Sequence, residues 1–559
     1  MMTRIRGAGA VIALLASLSL AGCSGSSGAD KTGADALAFP NQDINPHGAA
    51  ALKPGGTLHT VIEAYPAQWN SNHVDGQNGD WMEMDKALLP HLFRLDPNGT
   101  PQSNPSYLTS AGVTATTPHQ VVTYTINPQA KWSDGTPITW TDFRADWQAL
   151  NGRNSAYKAY STSGYEQISA VEKGADEREV KVTYDRPFGD WKSLFDPLYP
   201  ASGYGSPEQF NKGWIDRPPV TAGAWKIASL DQTKKLVTFE PDPTWWGPKP
   251  VLSSIVWDPI DPSAQPDAFL NSELDIAGAR APEIYKRLKD APNGVIRKAA
   301  QSDESQITFN GARGPLQDVK VRQALQLAVD RDAIAKVASA GLPLSLKPLN
   351  SHFYMPGEPG YRDNSAQFTK RDVKAAGRLL DEAGWALSGK TRTKGGRPLK
   401  LSFTLASSNV VGQQIAQLVQ KMYADIGVQL TIQPVSADDF FGKYVNAGNF
   451  DLTLFRYQPT PYLSQSVSIY QQVQGKNGGQ NVGRIGTSQI DRLLDQAEQA
   501  TDPKVAGDLY NQADTLIWQA AHSLPLYQTP QVNAVRKDLA NYGASGLGEY
   551  DYATIGFLR

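Results

Sequence analysis

Cysteine is almost absent: Cys23 is the single one in 559 residues, which excludes an intramolecular disulfide and a cysteine-built zinc site. An excess of either charge is missing too, since 53 Lys and Arg face 55 Asp and Glu, a net of −2. Without residues 1–22, which carry Arg4 and Arg6 and no acid, the net becomes −4. That balance argues against nucleic-acid binding, which needs a basic face. Only one short apolar run occurs and the mean hydropathy is −0.40, so a multispanning membrane protein is excluded. The seven histidines, at 47, 59, 73, 91, 119, 352 and 522, form no H-x-H or HExxH pair, and no metal site is expected. G-x-S-x-G is missing, and residues 543–548 (GASGLG) lack the nucleophile-elbow spacing. Gly475-Lys476-Asn477-Gly478-Gly479 lacks the P-loop spacing and reads as a surface turn. Asp438 and Asp439 are adjacent, so they point in different directions and read as a solvated face. No catalytic residue and no cofactor are expected. A hydrolase assembled from carboxylates distant in sequence is the remaining enzymatic alternative.

What is present starts with an address. Arg4 and Arg6 precede an apolar stretch over residues 8–20, with no acid before Asp30. An apolar-rich run of thirteen residues suits a secretory signal, whereas a spanning helix needs about 20. The run ends in Leu20-Ala21-Gly22-Cys23, which resembles the lipobox of bacterial lipoproteins, in which the cysteine is lipidated and becomes the mature N-terminus. Residues 24–54 are rich in Gly, Ser, Ala and Asp without apolar periodicity, and are expected to form a flexible tether. Thirteen Trp and 22 Tyr supply amphipathic contact surface in the body.

The body alternates strand and helix patterns. Residues 57–62, 121–126, 180–184, 236–240 and 254–257 read as strands. Asp318 is expected to cap one helix running to Gly341, and Thr369 with Asp372 approximates a capping box. Leu401, Phe403 and Leu405 alternate, Ile415, Leu418, Val419 and Met422 follow helical spacing, and Val428, Leu430 and Ile432 alternate again. That β-α-β unit predicts a parallel strand pair. The fold class is α/β or mixed α+β, in more than one lobe.

Six segments in order then resemble the extracytoplasmic solute-binding proteins of ABC importers, family 5, the group of oligopeptide, dipeptide and nickel binders. They are Gly55-Gly56-Thr57-Leu58; Lys131-Trp132-Ser133-Asp134-Gly135-Thr136-Pro137; Thr221-Ala222-Gly223-Ala224-Trp225-Lys226; Pro241-Asp242-Pro243-Thr244-Trp245-Trp246; Phe269-Leu270-Asn271-Ser272-Glu273-Leu274-Asp275-Ile276; and Phe309-Asn310 with Pro315 through Arg331. Physical chemistry gives most of these structural work: turn formers at Ser133-Asp134-Gly135, a cap at Thr139 or Thr141, and loop packing by Trp245 and Trp246. Trp132, Asp134, Arg322 and Asp330 are expected to build the fold and not to touch ligand.

The resemblance implies a two-lobed, type II periplasmic-binding-protein flytrap. Its expected parts are a signal peptide at 1–22, the lipidated Cys23 and tether at 23–54, lobe I at 55–80, 210–308 and 527–559, an extra subdomain at 81–209, and lobe II at 309–526. Connections should pass near Phe309-Asn310 and residues 524–527. Peptide binders of this family often carry an acid after the lobe II strand, pairing with the peptide's α-ammonium. Here no Asp or Glu lies between Leu452 and Ile490, and Arg456 stands in that stretch, able to fork onto carboxylate or phosphate. The candidate ligand residues are Tyr65, Trp69, Asn70, Asn72 and Trp225 on lobe I, with Phe455, Arg456, Tyr457 and Gln458 on lobe II; Cys23 is the lipidation site. The function implied is a monomeric, lipid-anchored receptor on the extracytoplasmic face of the cell membrane. It would capture peptides or peptide-like solutes for an ABC permease and its ATPase subunits. A glycolipid- or oligosaccharide-binding role in the cell envelope is the alternative.

Overall fold

The computed structural model describes residues 39–473 and 479–559. The signal sequence, Cys23 and most of the Gly475–Gly479 turn lie outside the described residues. Among those described, no helix is long and apolar enough to cross a membrane.

The first lobe is built on two four-stranded sheets. In one, Thr57–Val61 pairs in parallel with Ser254–Asp258, and Leu236–Pro241 and Trp225–Asp231 follow antiparallel. The other is antiparallel, in the order Leu108–Ala115, Gln120–Ile126, Glu179–Tyr184, Ile168–Lys173. Strict alternation of buried and half-buried residues along Gln120–Ile126 shows one face on a core and one toward solvent. Thr139 caps the helix Trp140–Leu150 in a full capping box with Asp142. One continuous apolar core joins both sheets and holds Trp69, Trp81, Trp214 and Trp225.

The second lobe centres on a six-stranded sheet in the order Ile276–Gly278, Ser523–Arg536, Gly294–Phe309, Leu452–Tyr457, Lys400–Ala406, Gln429–Val435. Lys400–Ala406 and Gln429–Val435 run parallel, joined through the helix Val410–Ala424 as the β-α-β pattern predicts. Two members of the sheet are exceptionally long, Gly294–Phe309 with 16 residues and Ser523–Arg536 with 14. They pair antiparallel from Gly294↔Arg536 to Thr308↔Ser523. At one end Val535 packs in the first lobe's core, while Ile307, Phe309, Leu524 and Leu526 pack in the second's. The register slips between Ala300 and Asp303 and again between Ser305 and Gln306. Such irregularities bend a strand and increase its local twist, so the ribbon is kinked where it passes from lobe to lobe.

Three sequence expectations change. The helix expected from Asp318 to Gly341 is two helices, Val319–Ala328 and Arg331–Ala338. Val329 is extended between them and Asp330 caps the second through Ala333 N–H. The apolar spacing carries across the break, so periodicity alone hides it. Thr369 ends the short helix Ala366–Thr369, and Asp372 by itself caps Val373–Glu382. Finally, residues 39–54, expected to belong to a flexible tether, are packed. Phe39 and Leu52 are buried, Pro40 O accepts from Ala300 N at 2.8 Å, Lys53 N donates to Phe557 O at 2.7 Å, and Asp43 pairs with Arg297 at 2.8 Å. Backbone hydrogen bonds to distant strands order this segment, and those leave no periodic signal in its own residues.

Signature residues hold the fold together. Trp132 is buried, and Asp134 accepts from Thr136 N and Oγ1 in a turn where Gly135 has φ 88°. Arg322 donates to the carbonyls of Leu316, Ala520 and Ala521. Asp318 accepts from Lys320 N at 2.9 Å. Asp318→Ala is expected to lower stability by about 1 kcal/mol, read as a shift of the urea midpoint with unchanged slope.

Candidate functional site

The lobes touch across from the strand ribbon. Ser464 N donates to Asp190 Oδ2 at 2.8 Å, Gly189 N donates to Glu498 O at 2.6 Å, and Arg186 forms an ion pair with Asp495. A Cβ added at Gly189 would lie 2.4 Å from Ala500 O, so only glycine permits this approach. Burial raises the Asp190 carboxyl even though Ser464 donates to it. Burial pushes the Glu498 carboxyl up to about 7, against the attraction of Arg186. The ribbon and these contacts are two separate places where the lobes meet.

Tyrosines and one acid form the second lobe's wall. Phe455 and Tyr457 share a face of Leu452–Tyr457, with ring centroids 4.9 Å apart, and Phe441 meets Phe455 edge-on at 5.6 Å while remaining half exposed. Burial lifts the Tyr462 hydroxyl far above its ordinary range, and the charges of Asp196, Glu549 and Asp190 on the first lobe add to it. Burial likewise raises Tyr354, next to Glu358 and Asp190. Glu304 stands directly opposite Tyr457 in the ladder.

The first lobe answers with an array of ion pairs. Lys86 binds Glu83 at 2.8 Å, and Tyr552 donates its hydroxyl to Glu83 at 2.6 Å. His91 lies 3.0 Å from Asp85 and 3.5 Å from Asp196, and Arg94 pairs with Asp551 at 2.6 Å. Burial alone would discharge His91, but the hydrogen bond and charge of Asp85, with Asp196 behind, hold it at about 9. Burial raises Asp196 itself to about 7 despite His91. A cavity of about 150 Å³ opens beside Lys86, His91, Arg94 and Asp551, with Trp225 and Trp245 in its lining. Its charges are mutually compensated, so it suits a polar or zwitterionic group better than a bare ion. Among the described residues no group of three or more His, Cys, Asp or Glu could hold a metal ion.

The expected ligand residues divide. Trp69, Asn70 and Trp225 are fully buried. Trp69 meets Trp81 edge-on at 5.0 Å, Asn70 donates to Phe210 O at 3.1 Å, and Trp225 donates its indole N–H to Tyr552 O at 3.1 Å. Asn72 is half-buried and donates to the Tyr204 hydroxyl. Core packing and hydrogen bonds occupy these four, and Trp225 also borders the cavity beside Lys86. Tyr65 remains half-buried, edge-on to Trp69, with its hydroxyl unpartnered. On the second lobe Phe455 and Tyr457 are together, whereas strand alternation turns Arg456 to the other face. There it pairs with Asp303 at 2.8 Å, and the exposed Gln458 also hydrogen-bonds Asp303. Sequence reading missed Glu304, Tyr462, Asp190 and the ion-pair array, because each acquires its setting from a partner distant in the chain. Tyr462, just after Pro459-Thr460-Pro461, carried the one local hint, a turn-rich exit from a strand.

Comparison with known proteins agrees with this geometry. Residues 105–480 match the family described as bacterial extracellular solute-binding proteins, family 5 Middle. The oligopeptide-binding protein OppA of Mycobacterium tuberculosis is 38% identical over 521 residues, 92% of this chain and 87% of that protein. Among solved structures, a periplasmic EDTA-binding protein, EppA, superposes with a TM-score of 0.83 at 25% identity, covering 92% of this chain and 98% of that one. The oligopeptide-binding protein AppA of Bacillus subtilis, in complex with a nonapeptide, gives 0.73 at 19% identity, covering 91% and 100%. The fold is therefore the two-lobed, type II binding-protein architecture.

Proposed function

We propose a transport function for this chain, which belongs to the bacterial extracellular solute-binding proteins of family 5: it captures peptides or peptide-like solutes by closure of its two lobes and delivers them to an ABC permease. The observation that supports the reading is the first-lobe cavity with its compensated charges, together with the second lobe's Tyr462, which lies within electrostatic reach of Asp196 and Glu549. Tyrosines offer large contact area at small entropic cost, and compensated charges accept polar backbone groups without selecting one side chain. The name borne by the 38%-identical mycobacterial relative points the same way. The body would be held at the extracytoplasmic face by lipid on Cys23 and act as a monomer.

Closure needs a ligand that touches both lobes, because only contacts made in the closed form shift the open–closed equilibrium. The kinked ribbon at residues 300–306 would be the hinge and the Gly189 approach the latch. Gly189→Ala is therefore expected to weaken affinity about tenfold while leaving the melting temperature nearly unchanged, as measured by calorimetric titration against the unmodified protein. Unaltered affinity would remove this contact from the closing mechanism.

Native mass spectrometry of residues 24–559, secreted from a bacterial host, tests the reading directly. Heterogeneous peptides released on denaturation are the expected result. A sugar or lipid mass would overturn it in favour of an envelope glycolipid receptor.

A further inference from the structure

Glu304 is buried with 2% exposure, and its Oε2 is enclosed without a hydrogen-bond partner among the described residues. It sits on the interlobe ribbon between the two register slips, opposite Tyr457 on one neighbouring strand and Gln528 on the other. The titratable groups close enough to act on it electrostatically are Tyr457, Tyr470 and Asp514, and the two tyrosine hydroxyls donate elsewhere, to Gln480 O and His352 O. Asp514 is itself occupied by His352 at 2.6 Å and by Asn364. Among the described residues no cation pairs with Glu304: the adjacent Asp303 takes Arg456 on the opposite face of the strand. An enclosed carboxylate oxygen without a donor is costly to keep charged, so burial favours the protonated form of Glu304 in the free protein.

We propose that Glu304 is the anionic receptor for an ammonium group of the ligand, supplied from the interlobe ribbon and not from the 452–490 stretch, where no acid is present. This rests on the peptide-receptor reading and names the chemistry that the site selects. Ligand binding would be coupled to ionisation: the carboxylic O–H releases its proton to solvent and the carboxylate accepts N–H donors from the ammonium. Burial, with the charge of Asp514 added, puts the free carboxyl at about 8, so the coupling belongs below that pH. The same asymmetry acts on folding. A carboxyl raised from 4.5 to about 8 leaves the native state holding the proton in that window, so stability falls as pH rises through it.

The test uses an equimolar tripeptide library and the same library with every amine acetylated, each offered to wild type and to Glu304→Gln. Wild type is expected to retain the free-amine peptides about tenfold better and to release close to one proton per complex at pH 6.5. That release is read by calorimetry in two buffers of different ionisation enthalpy with the best-retained peptide. Glu304→Gln should lose both the preference and the proton release, and should flatten the fall of stability between pH 4.5 and 8. Equal retention of the two libraries by wild type, or an undiminished preference in Glu304→Gln, would overturn the assignment while leaving the receptor reading intact. Retention of neither library would instead remove the peptide-receptor reading, and the assignment with it.

Discussion

Trp225→Ala is expected to destabilise the protein by about 3–5 kcal/mol, the range for truncating a buried tryptophan. Trp225 has no exposed surface and lies in the core that joins both sheets of the first lobe. Truncation leaves a cavity that the surrounding rings cannot fill, and it strands the Tyr552 carbonyl that now accepts the indole N–H. Trp225→Phe separates this role from ligand contact. Most of the apolar volume remains, so peptide affinity should stay within about threefold of wild type although some stability is lost. Chemical denaturation and calorimetric titration on the same samples make the comparison. A phenylalanine variant that is stable but no longer binds would return Trp225 to the ligand site.

Tyr457→Ala should behave in the opposite way, losing at least about 2 kcal/mol of peptide affinity, or roughly 30-fold, with a small change in stability. Tyr457 is half-buried, packs against Phe455 at 4.9 Å, and stands across the ladder from Glu304. Removing the ring takes away contact area and admits water to the neighbouring carboxyl, so two contributions are lost together. Tyr457→Phe keeps the ring and removes only a long hydrogen bond to Gln480 O, at 3.4 Å, and should retain most of the affinity. If alanine at 457 leaves binding untouched, the tyrosine wall is not the ligand surface.

These two residues show how unevenly a site can be read from sequence. Both were expected to line the cleft, since each lies in a loop or strand end next to a signature segment. Trp225 is in a strand whose first residue faces the core, and one residue of strand phase decides between burial and exposure. Tyr457 ends a strand in the opposite phase and stays accessible. Arg456 illustrates the same point. Its guanidinium was expected to meet the ligand, and alternation turns it to Asp303 on the other face. The absence of an acid between Leu452 and Ile490 was legible at once. That a neighbouring strand sets Glu304 opposite Tyr457 was not.

By itself the sequence determined the two-lobed α/β class, the parallel pair around Val410–Ala424, the caps at Thr139 and Asp318, and the structural duty of Trp132 and Arg322. Those features arise from periodicity and from hydrogen bonds between residues a few positions apart, and such short-range chemistry is written locally. Only the tertiary structure decided that residues 39–54 dock on the body, that Gly189 meets the second lobe, and that Glu304 stands unpaired beside Tyr457. Each of these depends on which distant strands lie side by side, and the register of that pairing belongs to no single segment of the chain.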